Sequence, residues 1–350
     1  MATSAKNSAS ENGAAAAPAL HSVAPWIAVQ RNALLQQRGH AWLLHGPSGL
    51  GQFALAMELV RAWLCDAPTP HGACGHCASC HAIDVHAHTD LCVLMPETQM
   101  LALGWPLPEK AQAEIDDKKR KPSQEIRVDA MRDAVEFTQR TSGRGKGKAV
   151  LVYPAEQMNA VTANALLKTL EEPPGDARFV LATEAAHQLL PTIRSRCLAH
   201  TMQWPSSEAA SVWLAEQGVP AEQIAGLLQA AGGRPEDALA QFAAGRSPLV
   251  WKKLPKELAN GQAGALASLA APQVVDALQK LCHDLLMLRV GAAPRFFDPA
   301  DLPAPPTVAV LTRWSKALTQ SQRTADHPFN QGLMLEALVA QAASVLQSRR

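Results

Sequence analysis

One short segment constrains the fold of this chain more than any other. The apolar run His40–His45 is followed by residues 46–51 (GPSGLG) and then by helical apolar spacing over Phe53–Leu64. A buried strand, a GxxxxG loop and a helix in this order have the spacing of a phosphate-binding loop, in which backbone N–H groups at a helix N-terminus hold the phosphates. The candidate phosphate-binding residues are Gly46, Gly49 and Gly51.

The side chains that an active loop needs are missing. Gln52 stands where a lysine would neutralise the β- and γ-phosphates, and Phe53 stands where a Ser or Thr would bind Mg²⁺. The third predicted strand ends in Tyr153-Pro154 instead of two carboxylates, and Glu156 lies two residues too late. The pattern therefore predicts the fold but no functional ATP or magnesium site. The alternative is that the glycines only form a tight turn in an unrelated fold.

Strands and helices alternate beyond this loop. Further strands are predicted over Leu91–Met95, Ala149–Tyr153 and Arg178–Thr183, with helices between them. This alternation implies right-handed crossovers and a parallel sheet that is covered on both faces. The polar residues 96–125 between two of these elements are predicted to form a long exposed loop. Together these elements predict an α/β parallel-sheet domain over residues 21–204.

The remaining residues divide the chain further. Residues 1–20 are rich in Ala and Ser and predict a disordered tail, whereas residues 205–245 and 246–350 predict two helical domains. Hydrophobic residues make up 47% and charged residues 18%, which supports a packed core. The net charge of +1 argues against a general nucleic-acid coat protein. No apolar run is long enough to span a bilayer, and no signal-type segment opens the chain, so a cytoplasmic protein without a membrane association is expected.

Four of the seven cysteines fall within residues 65–80. Their spacing is C-x8-C-x2-C-x2-C, and four thiolates at such spacing can close a tetrahedral zinc site of structural type. His71, His76 and His81 lie among them and could replace a ligand, but the simpler interpretation is that they are solvated. The predicted zinc ligands are Cys65, Cys74, Cys77 and Cys80.

Two basic segments leave alternatives open. The loop at residues 143–148 (GRGKGK) could touch phosphate or form a solvated hairpin tip. Arg196, in the sequence Ser195-Arg196-Cys197, could reach a neighbouring subunit's nucleotide, although on the residues alone a solvated surface arginine is the better interpretation.

Taken together, these motifs resemble the delta-prime subunit family of the bacterial DNA polymerase III clamp loader. The resemblance rests on HGPSGLG at 45–51, the cysteine module, IRVD at 126–129, NALLKTLEEPP at 164–174, FVLAT at 179–183 and SRC at 195–197. It implies an AAA+ (RecA-like) sheet domain with a zinc-binding insert, a small helical lid at 205–245 and an all-α C-terminal collar at 246–350. It also implies that Arg196 acts in trans as an arginine finger.

The resemblance carries expectations about function and partners. It implies a subunit of a DNA-directed DNA polymerase holoenzyme that does not itself hydrolyse ATP or transfer nucleotides. Its expected partners are the gamma/tau and delta subunits and, through the complex, the sliding clamp and primer-template DNA in the nucleoid-associated replisome. Two other hypotheses remain: an active AAA+ ATPase of the gamma/tau type, and a zinc-dependent nucleic-acid-binding module formed by residues 65–80.

Overall fold

The computed structural model of the chain describes residues 23–324 and 330–348. The tail predicted over residues 1–20 lies outside the described residues. Before residue 205 the described chain forms a five-stranded parallel sheet with strand order β2-β3-β4-β1-β5. Its strands are β1 (Ala41–His45), β2 (Leu91–Leu94), β3 (Lys148–Val152), β4 (Ala177–Thr183) and β5 (Leu198–Thr201).

Helices cover both faces of this sheet and build the lid and the collar. The helices before residue 205 are α1 (Pro25–Leu35), α2 (Gln52–Leu64), α3 (Ala78–Asp84), α4 (Glu97–Ala102), α5 (Glu109–Asp116), α6 (Val128–Gln139), α7 (Ala160–Glu171) and α8 (Pro191–Arg194). The lid contains α9 (Ser207–Glu216), α10 (Ala221–Ala230) and α11 (Pro235–Ala243). The collar contains α12 (Pro248–Ala259), α13 (Ala271–Arg289), α14 (Val308–Thr324) and α15 (Gln331–Gln347).

The predicted α/β architecture is confirmed, and the sheet has one strand more than predicted. The central strands β3 and β4 are buried along almost their whole length because helices cover both faces, which explains their apolar runs. The additional strand, β5, is four residues long and lies at the sheet edge, with Leu198 and Ala199 exposed. An exposed edge strand has no buried apolar run, so the sequence gives little sign of it.

Residues 96–125 contain α4 and α5, so the prediction of one long exposed loop is wrong. The buried carboxylate of Glu97 accepts hydrogen bonds from Arg120 Nη2 at 2.8 Å and from the Ser123 backbone N–H at 2.8 Å. Arg120 also donates to Glu114 at 2.7 Å. Ion pairs and the stacking of Trp105 on His86 hold this segment, and hydrophobic periodicity cannot reveal such an arrangement.

Helix ends follow their local sequence in one case and depart from it in another. Asn159 caps α7 by accepting a hydrogen bond from the Thr162 backbone N–H at 3.0 Å, and Pro173 follows soon after the helix end. Asp129 is of a residue type that often caps helices, but the N-cap of α6 is Arg127 and Asp129 lies in the first turn of that helix. There its charge faces the positive end of the helix dipole.

Three clusters of buried apolar residues hold the chain together. One lies on the face of the sheet covered by α1 and α2 and continues into the lid, where Trp213 packs edge-on against Trp26 at 5.4 Å between ring centroids. The second lies on the other face under α6 and α7, and the third lies within the collar around Trp314. The division into domains at residues 205 and 246 remains a proposal. No helix of the described residues is long and apolar enough to cross a membrane.

Candidate functional site

The glycine loop joins β1 to α2, as predicted. Gly49 and Gly51 have φ angles of +72° and +92°, a conformation that favours glycine. Gly51 is the N-cap residue of α2, and Gly46 continues the sheet by donating its N–H to the Thr183 carbonyl at 3.4 Å. The loop therefore has the backbone of an anion-binding helix N-terminus.

Gln52 and Phe53 fill the positions at which an active loop has functional side chains. The buried Gln52 side chain turns back and donates from Nε2 to the carbonyls of Gly46 at 2.8 Å and Pro47 at 2.7 Å. Phe53 packs against Tyr153 with 5.1 Å between the ring centroids. The loop thus has an internal amide in place of a cation and an aromatic pair in place of a magnesium ligand.

The lid helix α11 lies directly against the loop, which sequence reasoning did not predict. The Glu236 backbone N–H donates to the Gly49 carbonyl at 3.3 Å. Ser48 Oγ donates to Asp237 at 3.1 Å, and Arg234 bonds both Asp237 at 2.9 Å and Ser48 at 3.1 Å. These contacts join residues that are distant in the sequence, and no local pattern around Glu236 points to them.

The groups around the loop are acidic. Burial, together with the neighbouring Asp237 and Glu184 carboxylates, raises the pKa of Glu236 to about 7. Desolvation and the nearby Glu156 carboxylate raise the pKa of Glu184 to about 7 as well. The one cation among these contacts, Arg234, is paired with Asp237. A nucleotide triphosphate would meet like charge at this place.

The four clustered cysteines come together as predicted. Their Sγ atoms all lie within 4.8 Å of one another, and Cys65 Sγ is 3.5 Å from Cys74, 3.7 Å from Cys77 and 3.8 Å from Cys80. Zn–S bonds of about 2.3 Å in a tetrahedron separate the sulfurs by about 3.8 Å. A disulfide would require about 2.05 Å. The spacing therefore fits a metal held by four thiolates.

The loop geometry of the cysteine module supports this arrangement. Gly75 has a φ of +82° between two of the ligands, and Cys77 caps the N-terminus of α3. Backbone N–H groups of His76 and Cys77 lower the pKa of Cys74 to about 7, whereas burial raises the pKa of Cys65 and Cys80. His71, His76 and His81 are exposed and lie outside the group of ligand atoms, in agreement with the solvated interpretation.

Two cations of the basic loop at 143–148 pair with acidic or polar side chains of the protein itself. The buried Lys148 begins β3 and pairs with Asp90 at 3.2 Å. Arg144 reaches Ser79 Oγ at 3.3 Å and Asp66 at 3.7 Å, and Asp66 in turn accepts from Ser79. Two of the three cations that were candidates for phosphate contact are therefore already paired within the protein.

Arg196 lies between α8 and β5. Its Nε donates to Glu171 at the end of α7 at 2.7 Å, and its Nη1 donates to the Thr192 carbonyl at 2.8 Å. The pair is partly exposed, with 29% of the Arg196 side chain and 48% of the Glu171 side chain accessible. Among the described residues, its hydrogen bonds do not reach the chain's own glycine loop.

Similarity to known proteins agrees with this geometry. A family model described as "DNA polymerase III, delta subunit" matches residues 25–205. DNA polymerase III subunit delta' of Pseudomonas aeruginosa is 36% identical over 292 residues, which cover 83% of this chain and 74% of that protein. The chain belongs to the family of DNA polymerase III delta-prime subunits. The resemblance inferred from the motifs is confirmed, and the parallel sheet with its helical C-terminal part agrees with the predicted fold class.

Two further relatives show how far the similarity extends. The delta-prime subunit of Escherichia coli is 34% identical over 224 residues, which cover 62% of this chain and 60% of that protein. A DNA polymerase III subunit tau of Salmonella typhimurium is 31% identical over 159 residues, which cover 45% of this chain and 21% of that protein. The similarity to delta-prime subunits thus extends over more of the chain than the similarity to tau.

Proposed function

We propose that this delta-prime family member is a non-hydrolysing subunit of the bacterial clamp loader and helps to place the sliding clamp on primed DNA. The observation that carries the proposal is the set of side chains in and around the glycine loop. Gln52 is bonded to the loop's own carbonyls, Phe53 packs on Tyr153, and carboxylates of the lid face the loop. A gamma/tau-type ATPase would need the lysine and the metal ligand that are replaced here.

The proposed complex contains gamma/tau and delta subunits and acts on the clamp and on primer-template DNA in the cytoplasmic, nucleoid-associated replisome. Similarity to a tau subunit over 45% of the chain supports a shared subunit architecture. Within the complex the four cysteines hold a structural zinc ion, a proposal that the Sγ–Sγ distances support. Zinc in such a closed site stabilises residues 65–80 and takes no part in chemistry.

Arg196 is proposed to act in trans on the ATP of an adjacent motor subunit. Its guanidinium stays ionised and presents forked donors, which suit the charge that develops on a transferred phosphoryl group. Partial exposure of the Arg196–Glu171 pair supports this role, because an exposed pair costs at most about 1 kcal/mol to open.

The test is Arg196→Ala in the reconstituted complex, with Arg194→Ala as the matched control. Arg194 is exposed at the end of α8, two residues away. We expect both complexes to assemble, and only Arg196→Ala to lower DNA-stimulated hydrolysis and clamp loading. Arginine fingers contribute roughly 10³–10⁵ at a single site, and the complex with several sites should lose less. Arg196→Lys should rescue poorly. Unchanged clamp loading by an intact Arg196→Ala complex would contradict the trans role.

A further inference from the structure

We propose that Glu236 is a built-in ligand of the glycine loop: its carboxylate takes the place of a phosphate, and the lid is thereby docked on the sheet domain without nucleotide. The inference deepens the proposed non-hydrolysing function and rests on it for its biological meaning. Its physical basis is separate, because it depends only on the contacts between α11 and the loop.

The first step is steric. A methyl group built on Gly51 would lie 3.1 Å from Glu236 Oε1, and one built on Gly49 would lie 2.6 Å from Asp237 Oδ1. Side-chain carboxylates of the lid therefore occupy the space beside the two glycines that a phosphate-binding loop keeps open. The close approach that these glycines permit is used here for the lid.

The second step concerns the donors. Gly51 is the N-cap of α2, and Glu236 Oε1 lies beside it, 3.1 Å from the position of a Cβ built on Gly51. An anion at a helix N-terminus is stabilised by free N–H groups and by the helix dipole. Above its raised pKa of about 7, Glu236 presents such an anion from within the chain, and its own backbone N–H donates a hydrogen bond to the Gly49 carbonyl at 3.3 Å.

The third step concerns a set of hydrogen bonds that lies beside this contact. Ser48, Arg234 and Asp237 form a closed set of hydrogen bonds with distances of 2.9–3.1 Å. This set fixes the tip of the loop to the start of α11. With Asp237 and Glu184 also close to Glu236, a bound polyphosphate would have to displace one carboxylate and approach the others. The contact thus both docks the lid and excludes phosphate.

The experiment compares the full chain with Glu236→Ala, Glu236→Gln and the control Glu222→Ala. Glu222 is exposed in the first turn of the neighbouring lid helix α10. Two readouts are used at pH 8: hydrogen exchange of the α11 amides, and calorimetric binding of inorganic tripolyphosphate. Circular dichroism verifies that each variant is folded.

We expect Glu236→Ala to speed α11 exchange at least tenfold and to bind tripolyphosphate at least tenfold more tightly than the wild type. Glu236→Gln keeps the shape of the side chain and the packing beside Gly51 but loses the charge, so it should keep wild-type exchange and still bind tripolyphosphate more tightly. Glu222→Ala should match the wild type in both. Wild-type affinity in both Glu236 variants, or wild-type exchange in a folded Glu236→Ala, would overturn the inference. Neither readout measures ATP hydrolysis, so failure of this inference would leave the proposed non-hydrolysing function to be tested on its own.

Discussion

Replacing Asp90 by Asn should destabilise the protein strongly. Asp90 is 1% exposed and lies just before β2. It accepts hydrogen bonds from the backbone N–H groups of Gly143 at 2.8 Å and Arg144 at 2.9 Å, from Ser142 Oγ at 3.0 Å and from Lys148 Nζ at 3.2 Å. Its carboxylate therefore ties the 143–148 loop, and through Arg144 the cysteine module, to the edge of the sheet.

The size of the stability loss follows from the hydrogen bonds and the charge that the amide of Asp90→Asn cannot supply. Asn offers one acceptor oxygen instead of two and no charge, so Lys148, itself only 7% exposed, is left as a buried cation without a counter-ion. Removing one partner of a buried ion pair costs about 3–5 kcal/mol. With a urea slope of about 3 kcal/mol/M, the unfolding midpoint should fall by about 1–2 M.

The assay is urea unfolding followed by circular dichroism, with Asp117→Asn as the control. Asp117 also pairs with a lysine, Lys119, but 58% of its side chain is exposed. An exposed pair contributes less than about 1 kcal/mol, so this variant should unfold close to the wild type. If Asp90→Asn moved the midpoint no further than Asp117→Asn, the reasoning from burial would be refuted.

The same variant has a pH signature. Burial alone would raise the pKa of Asp90, but the N–H groups of Gly143 and Arg144, with Ser142 and Lys148, outweigh it and hold the pKa below its ordinary value. A carboxyl whose pKa is lowered by folding contributes stability above its unfolded pKa of about 3.9 and loses it as the pH falls through the folded value. The stability advantage of the wild type over Asp90→Asn should therefore shrink below about pH 4.

Two further predictions concern the metal and the arginine. Protein purified without added metal should contain about one equivalent of zinc by elemental analysis. A chelator, or the substitution Cys80→Ser, should lower the melting temperature. Well-folded protein without metal, or with a disulfide among these cysteines, would contradict the zinc assignment. Glu171→Ala in the reconstituted complex should change the rate of ATP hydrolysis less than about fivefold, because the partly exposed Arg196–Glu171 pair contributes at most about 1 kcal/mol. A loss of rate as large as that of Arg196→Ala would show instead that Glu171 is needed to position the guanidinium.

The sheet and the cysteine cluster were predictable because each leaves a local signal. Buried parallel strands such as β3 and β4 appear in the sequence as apolar runs. Metal ligands that come from one short turn must lie only a few residues apart in the sequence. The edge strand β5 and the helices within residues 96–125 were missed because their stability comes from pairing along one side and from ion pairs of Glu97 and Arg120. Such interactions leave no periodicity in the sequence.

The content of the glycine loop could be predicted only in part. Gln52 and Phe53 are read directly from the motif, and their presence predicts the loss of the ATP site. The position of Glu236 depends on the tertiary structure, because it follows from how α11 packs on the loop, and nothing near Glu236 in the sequence indicates it. Likewise Arg144 and Lys148 look like free cations in the sequence, and only the fold brings them to Asp66 and Asp90.

Charge placement links the two proposals into one physical argument. At the chain's own loop Gln52 stands in the place of the lysine, and a carboxylate, Glu236, lies beside Gly51 at the start of α2. Every such change lowers the electrostatic support for a triphosphate in cis. Arg196 is held on a different part of the surface by a partly exposed partner. Residues of α11 contact the loop at Gly49 and Gly51, so the glycines alone do not indicate nucleotide binding. The side chains around the glycines do, and in our proposal they leave phosphate chemistry to a neighbouring subunit.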